Sequence, residues 1–250
     1  MGHLRDVLNE GRPAFGIWLM MSSATSAEMI GALGFDYLGI DVQHGLLAYE
    51  GMRDILLAVS GQPTSVIVRV PSNDDWWIGK ALDAGAEGIV IPMVNSAADA
   101  ERAARACRYP PDGVRSHGAA RAVQPLGRTP DEVNSNVLCF PMIETRAGLD
   151  AADEICGVDG VDGVYIGPSD LALSLGLQPT RGAPPPPEHA AAVERIRISC
   201  EQAGIVPGIH CYNGAGAKAR ADEGFRLVTV CADASLLALG GATELAAARA

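Results

Sequence analysis

The sequence predicts an α/β fold, a closed (β/α)8 barrel that forms one domain over residues 1–250. Short apolar runs rich in β-branched residues recur eight times, amphipathic Ala-rich segments separate them, and several of these segments end in Gly. Strands that alternate with helices pair in parallel, and eight of them can close on themselves without leaving an exposed edge. A chain of 250 residues is an ordinary length for such a barrel.

The eight predicted strands each end near a Gly, a Pro or a polar residue. They lie at residues 15–20, 37–42, 65–70, 88–93, 137–144, 161–168, 206–211 and 227–233. The helices are predicted at residues 26–34, 50–60, 75–85, 97–107, 147–157, 187–204, 216–224 and 243–250. Five helices end at a glycine of the kind that adopts the left-handed conformation, namely Gly34, Gly61, Gly85, Gly204 and Gly224. These glycines are assigned a structural role only.

Two connections are long enough to shape an active site. Residues 109–133 lie between the fourth and fifth strands, and residues 173–189 lie between the sixth and seventh. Loops at the carboxyl ends of barrel strands usually carry function. The four consecutive prolines at residues 184–187 predict a stiff spacer before the next helix.

The composition excludes several classes of protein. The net charge of −11 disfavours nucleic acid as a partner, because an acidic surface repels phosphates. No apolar run is long enough for a signal peptide or a membrane span, so a cytoplasmic protein that does not bind membranes is expected. The six scattered cysteines have no metal-binding spacing, which favours buried free thiols in a reducing compartment.

Ionisable or large residues stand at the carboxyl ends of most predicted strands. Because these ends surround one mouth of a barrel, we expect their side chains to converge there. The set consists of Trp18, Asp41, His44, Arg69, Glu144, Asp170, His210 and Asp233.

Glu144 and Asp170 follow neighbouring strands and are predicted to lie side by side. Two carboxylates without a nearby Cys or His pair suit a hard divalent cation such as Mg2+ or Mn2+. In the alternative interpretation, Glu144 pairs with Arg146 and Asp170 caps a short helix.

Asp41, His44 and Arg69 form a second candidate cluster. A carboxylate three residues before an imidazole can orient it as a general base, although a loop histidine is often only a surface residue. Arg69 lies within the apolar run SVIVRVP, where a guanidinium requires an anion. That anion is either the substrate or a buried carboxylate, Asp41 or Glu144.

Together these groups favour chemistry on a 2-oxo acid. A cation and Arg69 can stabilise the enolate that forms when a bond at C3 breaks, while His44 moves the proton. A Schiff-base route requires a lysine at a strand end. The two lysines, Lys80 and Lys218, both lie in predicted helices.

The chain resembles the HpcH/HpaI class II pyruvate aldolases, which include 4-hydroxy-2-oxoheptanedioate and 2-dehydro-3-deoxyglucarate aldolases. The similarity runs over nearly the whole chain. The segments that carry it include GFDYLGIDVQHG, VRVP, RYPPDGVRS, MIETRAGLD, VDGVDGVYIGPSDLALSLG and GFRLVTVCAD.

The resemblance implies Mg2+, Mn2+ or Co2+ held by Glu144 and Asp170, with Arg69 on the pyruvate oxygen. It implies an acid/base pair of His44 and Asp41. The pyruvate carboxylate is expected near Gly167, Pro168 and Ser169, with the amides of Ser169 and Leu171 as donors. Trp18, Arg121 and the 176–187 loop are candidates for recognition of the aldehyde. A homo-hexamer, a trimer of dimers that exchange the last helix, is also implied.

Two departures from the family pattern bear on substrate. The usual D-x-E-H-G reads D-V-Q-H-G, with Gln43 in place of Glu, and Met142 replaces a Gln found in some members. The expected activity is aldol cleavage of a 4-hydroxy-2-oxo acid. The alternatives are oxaloacetate decarboxylation or another condensation at the same site, and a non-catalytic binding barrel. A phosphate site at residues 213–218 is a further alternative.

Overall fold

A computed structural model describes residues 4–119, 121 and 125–250 of the chain. Eight parallel strands close into a barrel in chain order, and β8 pairs with β1 to complete the ring. The predicted (β/α)8 fold is therefore confirmed.

Every predicted strand is present, with boundaries that agree to within two residues. The strands are β1 Ala14–Leu19, β2 Tyr37–Asp41, β3 Ser65–Arg69, β4 Gly88–Ile91, β5 Leu138–Ile143, β6 Gly163–Ile166, β7 Val206–His210 and β8 Leu227–Ala232. Nearly all strand residues are buried, because one face of each strand points into the barrel and the other packs under the helices.

Helices surround the barrel. They are α1 Leu4–Asn9, α2 Ala24–Gly31, α3 Tyr49–Ala58, α4 Asp75–Ala84, α5 Ala97–Cys107, α6 Pro130–Asn136, α7 Arg146–Asp150, α8 Ala152–Cys156, α9 Pro168–Ser174, α10 Pro187–Ala203, α11 Gly214–Asp222 and α12 Asp233–Arg249. The five glycines predicted to end helices all have positive φ, between 71° and 109°.

The sequence did not predict α1 and α6, and it offered α9 only as the short helix of an alternative interpretation. Each of the three is only one or two turns long and too short to show a helical period. The capping box of α6 was a usable signal. The Thr129 hydroxyl accepts from the Glu132 amide, and the Glu132 carboxylate accepts from the Thr129 amide. The predicted helix at residues 147–157 is divided at Ala151. The last helix starts at Asp233, ten residues earlier than predicted.

The interior of the barrel is filled by large side chains, which close it to passage. Tyr37 and Tyr165 each share a hydrogen bond with the hydroxyl of Thr229, at 2.9 Å and 2.5 Å. At the amino-terminal end, α1 covers the barrel with three buried residues, Leu4, Val7 and Leu8. One end is thus sealed, and a ligand can enter only at the carboxyl ends of the strands.

Two further expectations from the sequence concern the cysteines and the membrane. All six cysteines are buried and free, as expected. Among the described residues, no helix is both long enough and apolar enough to span a bilayer.

Candidate active site

A cavity of about 410 Å³ opens at the carboxyl ends of the strands. Nine of the predicted site residues line it, namely Trp18, Asp41, His44, Arg69, Gly167, Pro168, Ser169, Asp170 and His210. The closed topology brings them together, because they end or follow the strands β1, β2, β3, β6 and β7 around the same mouth.

Arg69 is held on two sides at the end of β3. Its Nε and Nη2 donate to the two carboxylate oxygens of Asp41, at 2.9 Å and 2.6 Å. The guanidinium carbon lies 5.6 Å from the centre of the Trp18 ring. The buried pair with Asp41, which was one of the two alternatives for Arg69, is therefore present. A planar guanidinium fixed in this way still has N–H groups to offer to an anion in the cavity.

Asp41 serves the arginine and a turn, and does not contact the imidazole of His44. Besides Arg69, its carboxylate accepts from the backbone amides of Gln43 and His44, at 3.1 Å and 3.2 Å. Burial acts to raise the pKa of Asp41, but the Arg69 bond and charge and the two amides outweigh it and lower the pKa. The expectation that Asp41 orients the His44 imidazole is thus not met in this geometry. The His44 side chain is exposed at the rim.

Glu144 and Asp170 lie on neighbouring elements at the same mouth. Glu144 is buried, and its Oε1 accepts one bond, from the backbone amide of Met93 at 2.8 Å. Its pKa is raised, chiefly by burial and further by the nearby charge of Asp170, against the Met93 amide and the Arg69 charge. Neither carboxylate forms an ion pair with any described residue, so the alternative pairing of Glu144 with Arg146 is absent. Two adjacent unpaired carboxylates are a donor set that fits a hard divalent cation.

Gly167 leaves room for the carboxylate of Glu144. A Cβ at Gly167 would lie 2.4 Å from Oε2 of Glu144 and 2.9 Å from Cε of Met142. Any side chain at this position would therefore displace the acid. The need for a glycine arises from this close approach and not from its φ, which is −92°.

The predicted carboxylate-binding segment needs one correction. The Leu171 amide donates to the Gly167 carbonyl at 3.0 Å within α9, and its side chain is fully buried, so Leu171 has no donor to offer a ligand. Pro168 has no N–H. The first turn of α9 therefore leaves the Ser169 amide as the donor expected from the sequence. A buried His189 fixes this turn through a 2.8 Å bond to the Pro168 carbonyl.

The lining of the cavity includes His210 from the predicted strand-end set, Arg181 from the predicted 176–187 loop, and Tyr212, which was not predicted. His210 ends β7 edge-on to Trp18, and burial together with the Arg69 charge lowers its pKa to about 4. Tyr212 shares a 2.5 Å hydroxyl bond with Ser169. Arg181, from the long loop after α9, also lines the cavity. His210 was predicted from its position at a strand end and Arg181 as part of a long loop, whereas no sequence signal singled out Tyr212.

Three further sequence-based candidates lie outside the site. Arg121 lines a different cavity, of about 320 Å³, with residues of the α3–β3 and α4–β4 connections at the amino-terminal end of the barrel. Within this chain it does not reach the mouth. Asp233 accepts from the amides of Met20 and Met21 and so joins β1 to α12. At the alternative phosphate site, Asn213 caps α11 by accepting from the Gly216 amide.

A barrel that is sealed at one end and carries an arginine and two neighbouring acids at its open mouth is typical of enzymes of the (β/α)8 class. The chain belongs to the HpcH/HpaI aldolase/citrate lyase family, whose model matches residues 14–238. It is thus a lyase of the aldolase type.

Individual relatives match over the whole length. The chain is 39% identical over 254 residues to a hydroxypyruvate/pyruvate aldolase of Rhizorhabdus wittichii, with 100% of each chain covered. It is 39% identical over 249 residues to a 4-hydroxy-2-oxo-heptane-1,7-dioate aldolase of Salmonella typhi, covering 98% of this chain and 93% of the relative. A crystal structure of a family protein from Burkholderia cenocepacia superposes with a TM-score of 0.90 at 31% identity, covering 99% and 98%.

Proposed function

We propose that the enzyme reversibly cleaves a 4-hydroxy-2-oxo acid to pyruvate and an aldehyde. The observation that carries the proposal is Arg69, held by Asp41 and Trp18 beside two carboxylates that have no cationic partner among the described residues. The full-length relatives named as hydroxypyruvate/pyruvate and 4-hydroxy-2-oxo-heptane-1,7-dioate aldolases support the same substrate class.

Glu144 and Asp170 are the proposed ligands of a divalent cation, Mg2+, Mn2+ or Co2+. Their oxygen donors and their lack of a cationic partner fit such an ion. When bound, it would supply positive charge that stabilises negative charge on the substrate oxygens.

The chain's own residues have separate tasks in this mechanism. In cleavage, a base takes the proton of the C4 hydroxyl and the C3–C4 bond breaks. The aldehyde leaves, and the electron pair of the broken bond stays on the other fragment as the pyruvate enolate. Arg69 donates to the enolate oxygen, and the Ser169 amide lies where the carboxylate of the acid is expected. His44 is the proposed proton carrier, since its exposed imidazole is free of side-chain bonds to the described residues. Protonation of C3 then releases pyruvate.

The activity is tested by coupling pyruvate release to a dehydrogenase, with and without EDTA. Wild-type activity should be lost with EDTA and restored by Mg2+ or Mn2+, and Glu144→Gln should be inactive. Asp150→Asn, which changes an exposed acid at the end of α7, is the matched control and should keep wild-type activity. Activity that survives EDTA, or an active Glu144→Gln enzyme, would contradict the proposal. Product analysis with oxaloacetate alone distinguishes a decarboxylase.

We also propose that α12 packs on a second copy of the chain in a homo-oligomer, a hexamer built as a trimer of dimers. From residue 235 onward every residue of this helix is exposed, including Leu236, Leu237, Leu239 and Leu245. An apolar helix of this length gains its stability from packing. Light scattering should give an oligomer, and Leu237→Asp should shift it toward smaller species. We place the enzyme in the cytoplasm, acting on small molecules and on neither nucleic acid nor membranes.

A further inference from the structure

The second residue after β4, at the open mouth, has an unusual backbone conformation. Met93 has φ of 57°, in the left-handed region that side-chain-bearing residues rarely adopt. Its side chain is half exposed, so burial of the side chain does not account for the conformation. Strained residues of this kind persist where the surrounding structure enforces them, which is often at a functional site.

The Met93 amide points at Glu144. The N–H donates to Oε1 at 2.8 Å, and this is the one hydrogen bond that the described residues give to the Glu144 carboxylate. On the other side, Gly167 approaches Oε2 closely. The carboxylate is therefore confined between the amide of one strand end and the backbone of another.

A clamp holds Met93 in place. The Asn95 side-chain amide donates to the Met93 carbonyl at 3.0 Å, and its oxygen accepts from the hydroxyl of Thr145. The Val94 amide donates to the Met142 carbonyl at 3.2 Å. These bonds fasten the segment after β4 to the end of β5, on both sides of Glu144.

We infer that Met93 is a positioning residue, whose left-handed backbone, clamped by Asn95, orients Glu144 toward the cation shared with Asp170. The inference rests on the proposed metal site. It assigns the task to the backbone amide, and the methionine side chain is dispensable for it. An acid held in place before the cation arrives loses less conformational freedom on binding.

The test compares two substitutions that both remove the methionine thioether. Met93→Gly accepts the left-handed backbone, whereas the β-branched Met93→Val disfavours it. Metal-free protein is titrated with Mn2+ alone, by calorimetry and by the spin-resonance signal of free Mn2+. Met93→Val should bind Mn2+ about tenfold more weakly than Met93→Gly, the loss typical when a partner of a metal ligand is removed. Met29→Val, the same change at an exposed helical site, should bind like the wild type.

Equal Mn2+ affinity in the Met93 pair would overturn the inference. If circular dichroism shows that Met93→Val is unfolded, Asn95→Ala decides, since it frees the Met93 carbonyl and leaves the methionine. About tenfold weaker binding by folded Asn95→Ala supports the clamp, and binding within about twofold of wild type refutes it. A wild-type enzyme that binds no Mn2+ would overturn the metal site of the proposed function, and this inference with it.

Discussion

Replacing Asp41 with Asn would remove the counter-ion of Arg69 while keeping the shape of the side chain. Asp41 is completely buried and the Arg69 side chain is only 11% exposed, so water cannot replace the lost charge. The Asn oxygen can still accept from the Gln43 and His44 amides. The substitution therefore isolates the ion pair from the turn that surrounds it.

The expected loss of stability is large for a substitution that replaces one carboxylate oxygen with an NH2 group. Breaking a buried ion pair by removing one partner costs about 3–5 kcal/mol. For a chain of this size, each kcal/mol lowers Tm by about 2–4 °C, so Asp41→Asn should lower it by roughly 6–20 °C. Activity should fall as well, because Arg69 loses the partner that aims it into the cavity.

The pH dependence gives a second, independent signature. Since the pKa of Asp41 is lowered in the fold, the unfolded chain binds more protons near its ordinary value of about 4. The stability that Asp41 contributes is complete above that pH and is lost as the pH falls through the folded pKa. The difference between wild type and Asp41→Asn should shrink in the same direction.

Urea unfolding at several pH values measures both quantities. Asp75→Asn is the control, because the Asp75–Arg102 pair is more than half exposed and water already screens it. A free energy of unfolding for Asp41→Asn within about 1 kcal/mol of wild type at pH 7 would refute the estimate for the buried pair. A difference that grows on acidification would refute the sign.

Three further predictions concern the mouth. Gly167→Ala should lower kcat at least about tenfold and lower the free energy of unfolding by about 1–3 kcal/mol through overpacking. Gly79→Ala, at a helical glycine with open space around it, should not lower the stability of the protein. Equal behaviour of the two variants would contradict the close approach of Gly167 to Glu144. Glu144→Gln should raise the Tm of the metal-free protein at pH 7, because burial raises the pKa of Glu144 and its ionised form therefore destabilises the fold. A thermal unfolding scan in EDTA that gives the variant a lower Tm than the wild type would contradict this prediction. Tyr212→Phe removes the hydroxyl hydrogen bond to Ser169 and should raise KM for the 2-oxo acid about fivefold in steady-state assays. An unchanged KM would show that this bond does not contribute to substrate binding.

The family relationship gives the class of reaction, and the geometry shows how the residues at the mouth are held in place. The family gives a lyase of the aldolase type. The geometry adds that the Met93 amide holds Glu144 and that the buried carboxylate of Asp41 holds Arg69. The two departures noted in the sequence lie close to this set. Met142 contributes an apolar wall to the cavity, and Gln43 shares Asp41 with the arginine through its backbone amide.

The sequence by itself determined the barrel and the acids and arginine at its mouth. Alternation of β-branched runs and Ala-rich segments is a local pattern, and closure then forces every strand end to the same side. For this reason Arg69, Glu144 and Asp170 could be assigned to one site from their order in the chain. The helix-ending glycines were equally local, since each depends on one residue's φ.

Only the tertiary structure decided which of these groups touch. Asp41 binds Arg69, 28 residues away, and not the imidazole of His44, because strand pairing places Arg69 directly opposite it. The left-handed Met93 and its bond to Glu144 join two strand ends that lie 51 residues apart. Arg121 lies at the far end of the barrel. Hydrogen-bond partners depend on distances across the closed sheet, and no local sequence period encodes those distances.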